Sequence, residues 1–445
     1  MKRILQILFW SIIPAAFIGP GTVTTAASAG ARHGYALLWA LAFSTVATVV
    51  LQEASARVTV VSGRNLGEAI RDRFGGGASG VLVLGLVLGA VVLGNAAFEA
   101  GNILGASAGA GLGTGISTAL VPLLIGAVAA GVLWIGTPRT VATLLSMTVA
   151  FMGIAFLATA FLLAPPAGEV LRGALAPSFP TGTGLLVLGL VGTTVVPYNL
   201  FLGSGIAAGQ TLAEIRFGLT VAVVLGGIIS MGIVVVGAGV AGEFSYEAVA
   251  ATLSGRLGSW AGPLFAWGLF AAGFSSAITA PFAAAITARA LYGDGSPRWG
   301  DRGARFRAVW LGVLLVGVGF GVAGVRPIPA IILAQALNGV VLPFAAVFLL
   351  LVVNDRAVMG ARGINGPLSN TFMGITVAVT LVLGVSGVLR AAAAAAGMPD
   401  PGEGAILGAA AVIAAVLLVP VLTGVRRRRG GAEMPEHAAA GAGGR

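Results

Sequence analysis

Twelve apolar stretches follow one another along the chain, each long enough to cross a bilayer, and they leave almost no room for a soluble domain between them. They lie near 4–32, 35–62, 79–108, 114–135, 140–164, 184–210, 215–241, 259–291, 308–325, 328–353, 368–390 and 404–425. A span needs about 20 mostly apolar residues to cross the hydrocarbon core, and inside lipid every backbone polar group must be satisfied within the protein. The pattern therefore predicts an all-α polytopic membrane protein. Only 9% of residues are charged, far short of the quarter or so that a soluble surface carries. Glycine is abundant, at 70 residues, as close packing of membrane helices requires.

The net charge of +10 invites a nucleic-acid reading, but the placement of the cations argues against one. With both termini cytoplasmic, twenty of the 25 Lys and Arg fall in inside loops and tails, leaving only Arg32, Arg172, Arg256, Arg326 and Arg390 outside. The expected location is the bacterial plasma membrane, with lipid as the surrounding partner and neither nucleic acid nor an obligate protein partner. Arg426 to Arg429 would anchor the last helix at anionic headgroups, with a disordered tail beyond. The chain has no cysteine, which excludes disulfides, zinc-thiolate sites and iron–sulfur clusters, and nothing calls for a cofactor. Glycine-rich Gly109–Gly113 lies in or beside a span and precedes no βαβ unit, so it is not a nucleotide loop. An enzyme is not expected.

Two spans break the helical rule. The first carries Gly19-Pro20-Gly21 in mid-membrane, and the sixth carries Pro197-Tyr198-Asn199 at a similar depth. Proline removes a backbone donor and glycine eases unwinding. Such backbone is tolerated in a membrane only where protein or a water-lined cavity satisfies it. Breaks at positions one and six predict two five-helix inverted repeats around a midplane site. The repeats would be residues 1–164 and 184–353, with additional helices at 368–425 and a basic tail at 426–445.

Several strings then resemble one family. They are Gln52-Glu53-Ala54-Ser55-Ala56-Arg57 with the loop Gly63 to Arg71, Gly273 to Thr279, Leu342-Pro343-Phe344, and Asn354-Asp355-Arg356 with Met359-Gly360. In this order and spacing they resemble the Nramp divalent-metal transporters over about Ile12 to Gly363. The resemblance implies a LeuT-type 5+5 inverted-repeat fold of about 12 transmembrane helices, working as a secondary transporter by alternating access.

The departures bear on the substrate. Where the family reads Asp-Pro-Gly-Asn this chain reads Gly19-Pro20-Gly21-Thr22, and where the family reads Met-Pro-His-Asn it reads Val196-Pro197-Tyr198-Asn199. A second family His becomes Gly203, and the only histidines are His33, in an outside loop, and His437, in the tail. The usual carboxylate and thioether ligands are thus absent. Hard divalent ions prefer carboxylate oxygen. Neutral oxygens from Thr22, from freed carbonyls near Gly19 and Val196, and from Gln335 would remain. A wider cavity could hold a hydrated ion, and a related branch of the family without the Met is associated with Mg2+.

Intramembrane ionisable groups are costly and so are functional candidates. Glu99, with Asn102 on the same helical face, would carry a proton or stand as the remaining anionic group for a metal beside Thr22; a hydrogen-bonded structural Glu is the alternative. Glu53 reads as a local ion pair with Arg57 at i+4. Ser275, Ser276 and Thr279 share a face where LeuT-type folds can hold Na+, although membrane hydroxyls often bond only their own backbone. Gln335 and Asn338 are i, i+3 neighbours placed for substrate or for interhelical packing. The leading expectation is transport of a divalent cation through Gly19, Thr22, Val196, Tyr198 and Asn199. The alternatives are a small organic solute on the same scaffold and a non-transporting descendant.

Overall fold

The computed structural model describes residues 6–7, 10, 13, 18–116, 119–136, 138–398 and 402–430, and these are almost entirely helical. In chain order the helices are α1 (Pro20–His33), α2 (Leu38–Ser62), α3 (Leu66–Phe74), α4 (Gly77–Thr114), α5 (Leu120–Ile135) and α6 (Pro138–Leu162). Then come α7 (Ala167–Leu175), α8 (Gly184–Thr194), α9 (Pro197–Ile206), α10 (Leu212–Ala238), α11 (Tyr246–Leu257) and α12 (Ala261–Tyr292). The last five are α13 (Ala304–Val322), α14 (Pro327–Val352), α15 (Arg356–Gly363), α16 (Pro367–Ala395) and α17 (Glu403–Arg429). Among the described residues nine spans are long and apolar enough to cross a membrane, the α8–α9 pair counting as one. Helices α1, α5 and α6 fall on the other three expected spans. Most of the first half of the first span, and His437, lie outside the described residues.

Four short helices join the spans. The segment after Gly63, expected as loop, folds as α3 because Asn65 and Glu68 cap its start reciprocally. Asn65 Oδ1 accepts from the Glu68 N–H at 3.0 Å, and Glu68 Oε2 accepts from the Asn65 N–H at 3.0 Å. Gly109–Gly113 is plain helix within α4.

Close backbone contact sets the spacing of the spans. A β-carbon at Gly30 of α1 would overlap the Val234 carbonyl of α10, and one at Gly237 of α10 would lie 2.7 Å from Ala27 Cα of α1. Helices α4 and α12 cross in the same way, through Gly109 and Gly273: a β-carbon at Gly273 would lie 2.6 Å from the Ala106 nitrogen. Without a hydrophobic drive between helices in lipid, this close fit supplies the dispersion contacts that hold them.

Several arginines between the spans are held in ion pairs. Glu53 accepts from Arg57 at 3.2 Å, the expected i+4 pair, and also from Arg216 of α10 at 2.9 Å. Asp355, between α14 and α15, accepts from Arg73 at 2.5 Å and Arg428 at 2.6 Å. The expectation that Arg426 to Arg429 face headgroups needs correction for two of them. Helix α17 runs through Arg429, and Arg428 and Arg429 turn inward because Asp355 and Asn354 offer buried acceptors.

Two predictions follow from this packing. Gly237→Leu forces α1 and α10 apart and should cost about 1–3 kcal/mol, read as a fall in Tm of the purified protein. Asp355→Ala should cost about 2 kcal/mol, since two charge-assisted bonds go but both arginines can reach water. Burial would push the Asp355 carboxyl up, but its bonds to Arg73 and Arg428 outweigh that and hold it below the usual carboxylate range. Its stabilisation is therefore complete above that range and lost as pH falls through the lowered value, so melts of wild type and Asp355→Ala should converge in acid.

Candidate substrate site at the two helix breaks

Both breaks are built alike. In the first span Ile18 and Gly19 are non-helical and α1 restarts with Pro20 in its first position. In the sixth, Val195 bends the chain, Val196 is extended and α9 restarts with Pro197. Proline suits the first helical position because its missing N–H has no partner there anyway. Each break thus presents the positive N-terminal end of a half-helix to the middle of the membrane, while α8 brings its negative C-terminal end to the same level.

The carbonyls expected to be freed are not free. Gly19 O accepts from the Val23 N–H at 3.1 Å and Val196 O from the Asn199 N–H at 3.0 Å. The residue ahead of a helix gives its carbonyl to the first helical turn, so these two carbonyls are already engaged.

Side chains therefore supply the oxygens. Thr22 meets Thr193 of α8, hydroxyl to hydroxyl at 2.8 Å, which ties the two broken spans together. Gln335 of α14 lies where four helices meet. Its amide fills the space a side chain at Gly21 would need, it lies 3.8 Å from a β-carbon placed at Gly101 of α4, and its Cβ lies 3.7 Å from one at Gly189 of α8. Gln335 Oε1 is buried with no hydrogen-bond partner, as are both side-chain polar atoms of Asn199. Tyr198 is buried and sets its ring edge-on to Phe98, with centroids 5.7 Å apart.

Helix α4 turns two faces to the interior. Gly94, Phe98, Gly101 and Gly105, at i, i+4, i+7 and i+11, meet Asn338, Tyr198, Gln335 and Pro20, so this face closes the site. Asn95, Glu99 and Asn102 form the neighbouring stripe, facing α12 and α13. Glu99 is fully buried: its Oε2 accepts from Asn102 Nδ2 at 3.2 Å, its Oε1 has no partner, and its Cγ would lie 2.6 Å from a β-carbon at Gly317 of α13. It stands one stripe aside from the breaks, next in sequence to Phe98, whose ring meets Tyr198.

The structure brings Gly19, Thr22, Val196, Tyr198, Asn199, Gln335 and Asn338 to one region and sets Glu99 with Asn102 beside it. Ser276 Oγ lies 3.4 Å from a β-carbon placed at Gly19, so α12 meets the first break at this hydroxyl. Ser275 is buried and Thr279 partly so. Two residues not singled out in the sequence belong here: Thr193, and Asn95, whose amide is buried with neither atom partnered. Asn95 sits four residues before Glu99, a spacing that could have marked it. The slot opened by Gly203 is filled by Gln52 of α2, whose Oε1 is buried and unpartnered.

A cavity of about 1060 Å3 lies between α4, α11 and the α13–α14 turn. Glu243, Glu247 and Arg326 line it, and its walls include Leu104, next to the Gly105 that packs on Pro20. Tyr246 of α11, at its edge, bonds Thr24 of α1 at 2.8 Å, and burial pushes its phenol well above the ordinary tyrosine range. At the opposite end lie the ion pairs of Glu53 and Asp355.

Among curated proteins, the chain is 30% identical to the divalent metal cation transporter MntH of Verminephrobacter eiseniae, over 79% of this chain and 81% of that one. It is 29% identical to the MntH of Deinococcus radiodurans, over 81% and 84%. The manganese transporter of Eremococcus coleocola superposes with a TM-score of 0.69 at 19% identity, over 95% of each chain. Mhp1, a nucleobase-cation-symport-1 family transporter, superposes at 0.58 and 16% identity, over 95% of this chain and 92% of that one. The LeuT-type arrangement is thereby established. The natural resistance-associated macrophage protein-like family matches residues 11–390, and the chain belongs to that family.

Proposed function

We propose that the chain is a secondary transporter that carries a divalent metal cation by alternating access, taken up with part of its hydration shell. The observation that carries this reading is the set of buried, unpartnered oxygens and amides around the breaks: Gln335 Oε1, both polar atoms of Asn199, and Glu99 Oε1. Each buried polar group left unsatisfied costs about 1–3 kcal/mol, so their concentration in one region favours a polar occupant there. The relatives named as divalent metal cation and manganese transporters supply the ion class.

The donor set shapes the hydration argument. Carboxamides and hydroxyls neither neutralise a doubly charged ion nor compete well with its inner water, but they hydrogen-bond that water readily. Mg2+ gives up water reluctantly and keeps several ligands of its shell, which suits such a lining. Glu99, one stripe aside, would balance charge without becoming a direct ligand. The inward-facing arginines support a cytoplasmic assignment for their end and for both termini, in the plasma membrane of a bacterium. On that assignment the cavity beside α11 is the external entry and the protein stands in an outward-open state. The matched breaks at Pro20 and Pro197 support residues 1–164 and 184–353 as the inverted repeats.

A small organic solute is the second reading. The aromatic wall of Phe98 and Tyr198 and the N–H groups at the start of α1 favour it, since a planar or carboxylate-bearing molecule would find partners in both.

Uptake of Mg2+, Mn2+ and Ca2+ into proteoliposomes separates the two. Saturable flux of Mg2+ or Mn2+ is expected, with Glu99→Gln slowing it about tenfold or more, as expected for loss of about 1.4 kcal/mol of charge stabilisation. Asn199→Ala and Gln335→Ala should raise KM several-fold with smaller effects on kcat. Folded, inserted protein that moves none of the three ions would sink the cation reading and turn the search to organic solutes.

A further inference from the structure

We propose that the end of the last helix is a clasp that holds the arginine-rich face shut, so that opening on that side requires Arg428 and Arg429 to leave Asp355 and Asn354. The inference uses the alternating-access fold but not the identity of the substrate.

The clasp is a chain of charge-assisted bonds. Asp355 Oδ1 caps α15 by accepting from the Ala357 N–H at 3.0 Å, which leaves Oδ2 to take Arg73 from α3 and Arg428 from α17. The Arg428 guanidinium also lies over the Phe74 ring, 4.5 Å from its centroid, and Phe74 sets its edge against Phe348 of α14 at 5.3 Å. Arg429 donates to Asn354 Oδ1 at 2.7 Å and to the Asn365 carbonyl at 2.9 Å. Arg57 of α2 reaches the same turn, donating to the Gly363 carbonyl at 2.7 Å and to Asn365 Oδ1. Glu53 continues the chain from Arg57 to Arg216 of α10.

Three features make this a device rather than simple packing. First, the fastening arginines stand on the last described helix, 73 and 75 residues along the chain from the side chains they hold, so the contact joins separate elements rather than neighbours in sequence. Second, the fastened turn contains Gly360 with φ +60 and ψ 177, a conformation open to glycine, which lets α15 hinge. Third, α3 carries the restraint to the broken sixth span. Its last turn holds Arg73 on Asp355, while its first residue donates from the Leu66 N–H to Ser204 Oγ of α9 at 2.7 Å. The half-helix that bears Asn199 cannot swing away from this face while α3 is pinned at both ends.

The natural chain has no cysteine, so a single one placed at Ala207, buried at the end of α9, reports opening directly. The measurement is the rate of maleimide labelling of Ala207→Cys in lipid nanodiscs, with no substrate added. Adding Arg428→Ala and Arg429→Ala should raise that rate about fivefold or more, the size of a modest coupling between two states. Arg426→Ala with Arg427→Ala should leave it unchanged. If the clasp variant folds poorly, Asp355→Asn replaces it with the same expected rise. An unchanged rate in a folded clasp variant, or an equal rise in the Arg426/Arg427 control, overturns the proposal. Absent ion flux would count against the cation reading alone, because labelling needs no ion.

Discussion

Lipid offers no hydrogen bonds, and this fold is arranged around the two places where its backbone gives up helical ones. Pro20 and Pro197 restart their spans where the N–H they lack would have had no partner, so each interruption costs little locally. The remaining donors and acceptors have to be met by neighbours, which brings α4, α8 and α14 into close contact there. Glycines at 21, 101, 105 and 189 allow that approach and leave room for a single long amide, Gln335, at the crossing. The close packing and the polar lining are thus two results of one constraint.

The donor set that results differs in kind from one built on carboxylate and thioether. Carboxamides are acceptors and donors at once, so they can bind a shell of water from either side. The sole buried acid near the site among the described residues stands behind the wall rather than in it, tied to Asn102 and backed by α13. A field applied from one helix away is less directional than a ligand bond.

Much of this was legible in the chain because two codes are written plainly in membrane proteins. Apolar length marked the spans, and i+4 spacing marked the pair Glu53 and Arg57. Proline marked both breaks, flanked by glycine at the first, and the i, i+3 spacing of Glu99 and Asn102 anticipated their bond. What escaped was whatever depends on which residues meet across helices. Nothing in the sequence around Thr193 announces the hydroxyl of Thr22, and the restarted turns take the carbonyls of Gly19 and Val196. Arg428 and Arg429 read as headgroup anchors because nothing nearby in sequence announces Asp355, some seventy residues earlier.

The pairing of Glu99 with Gly317 has a consequence for descent. A β-carbon at 317 would meet Glu99 Cγ at 2.6 Å and its carbonyl oxygen at 2.9 Å, so the two positions are not independent. While the acid is kept, position 317 is confined to glycine. A lineage that exchanges the acid for a small residue removes part of that barrier, although the backbone contact still disfavours bulk. The two sites should therefore vary together, with glycine lost only after the acid.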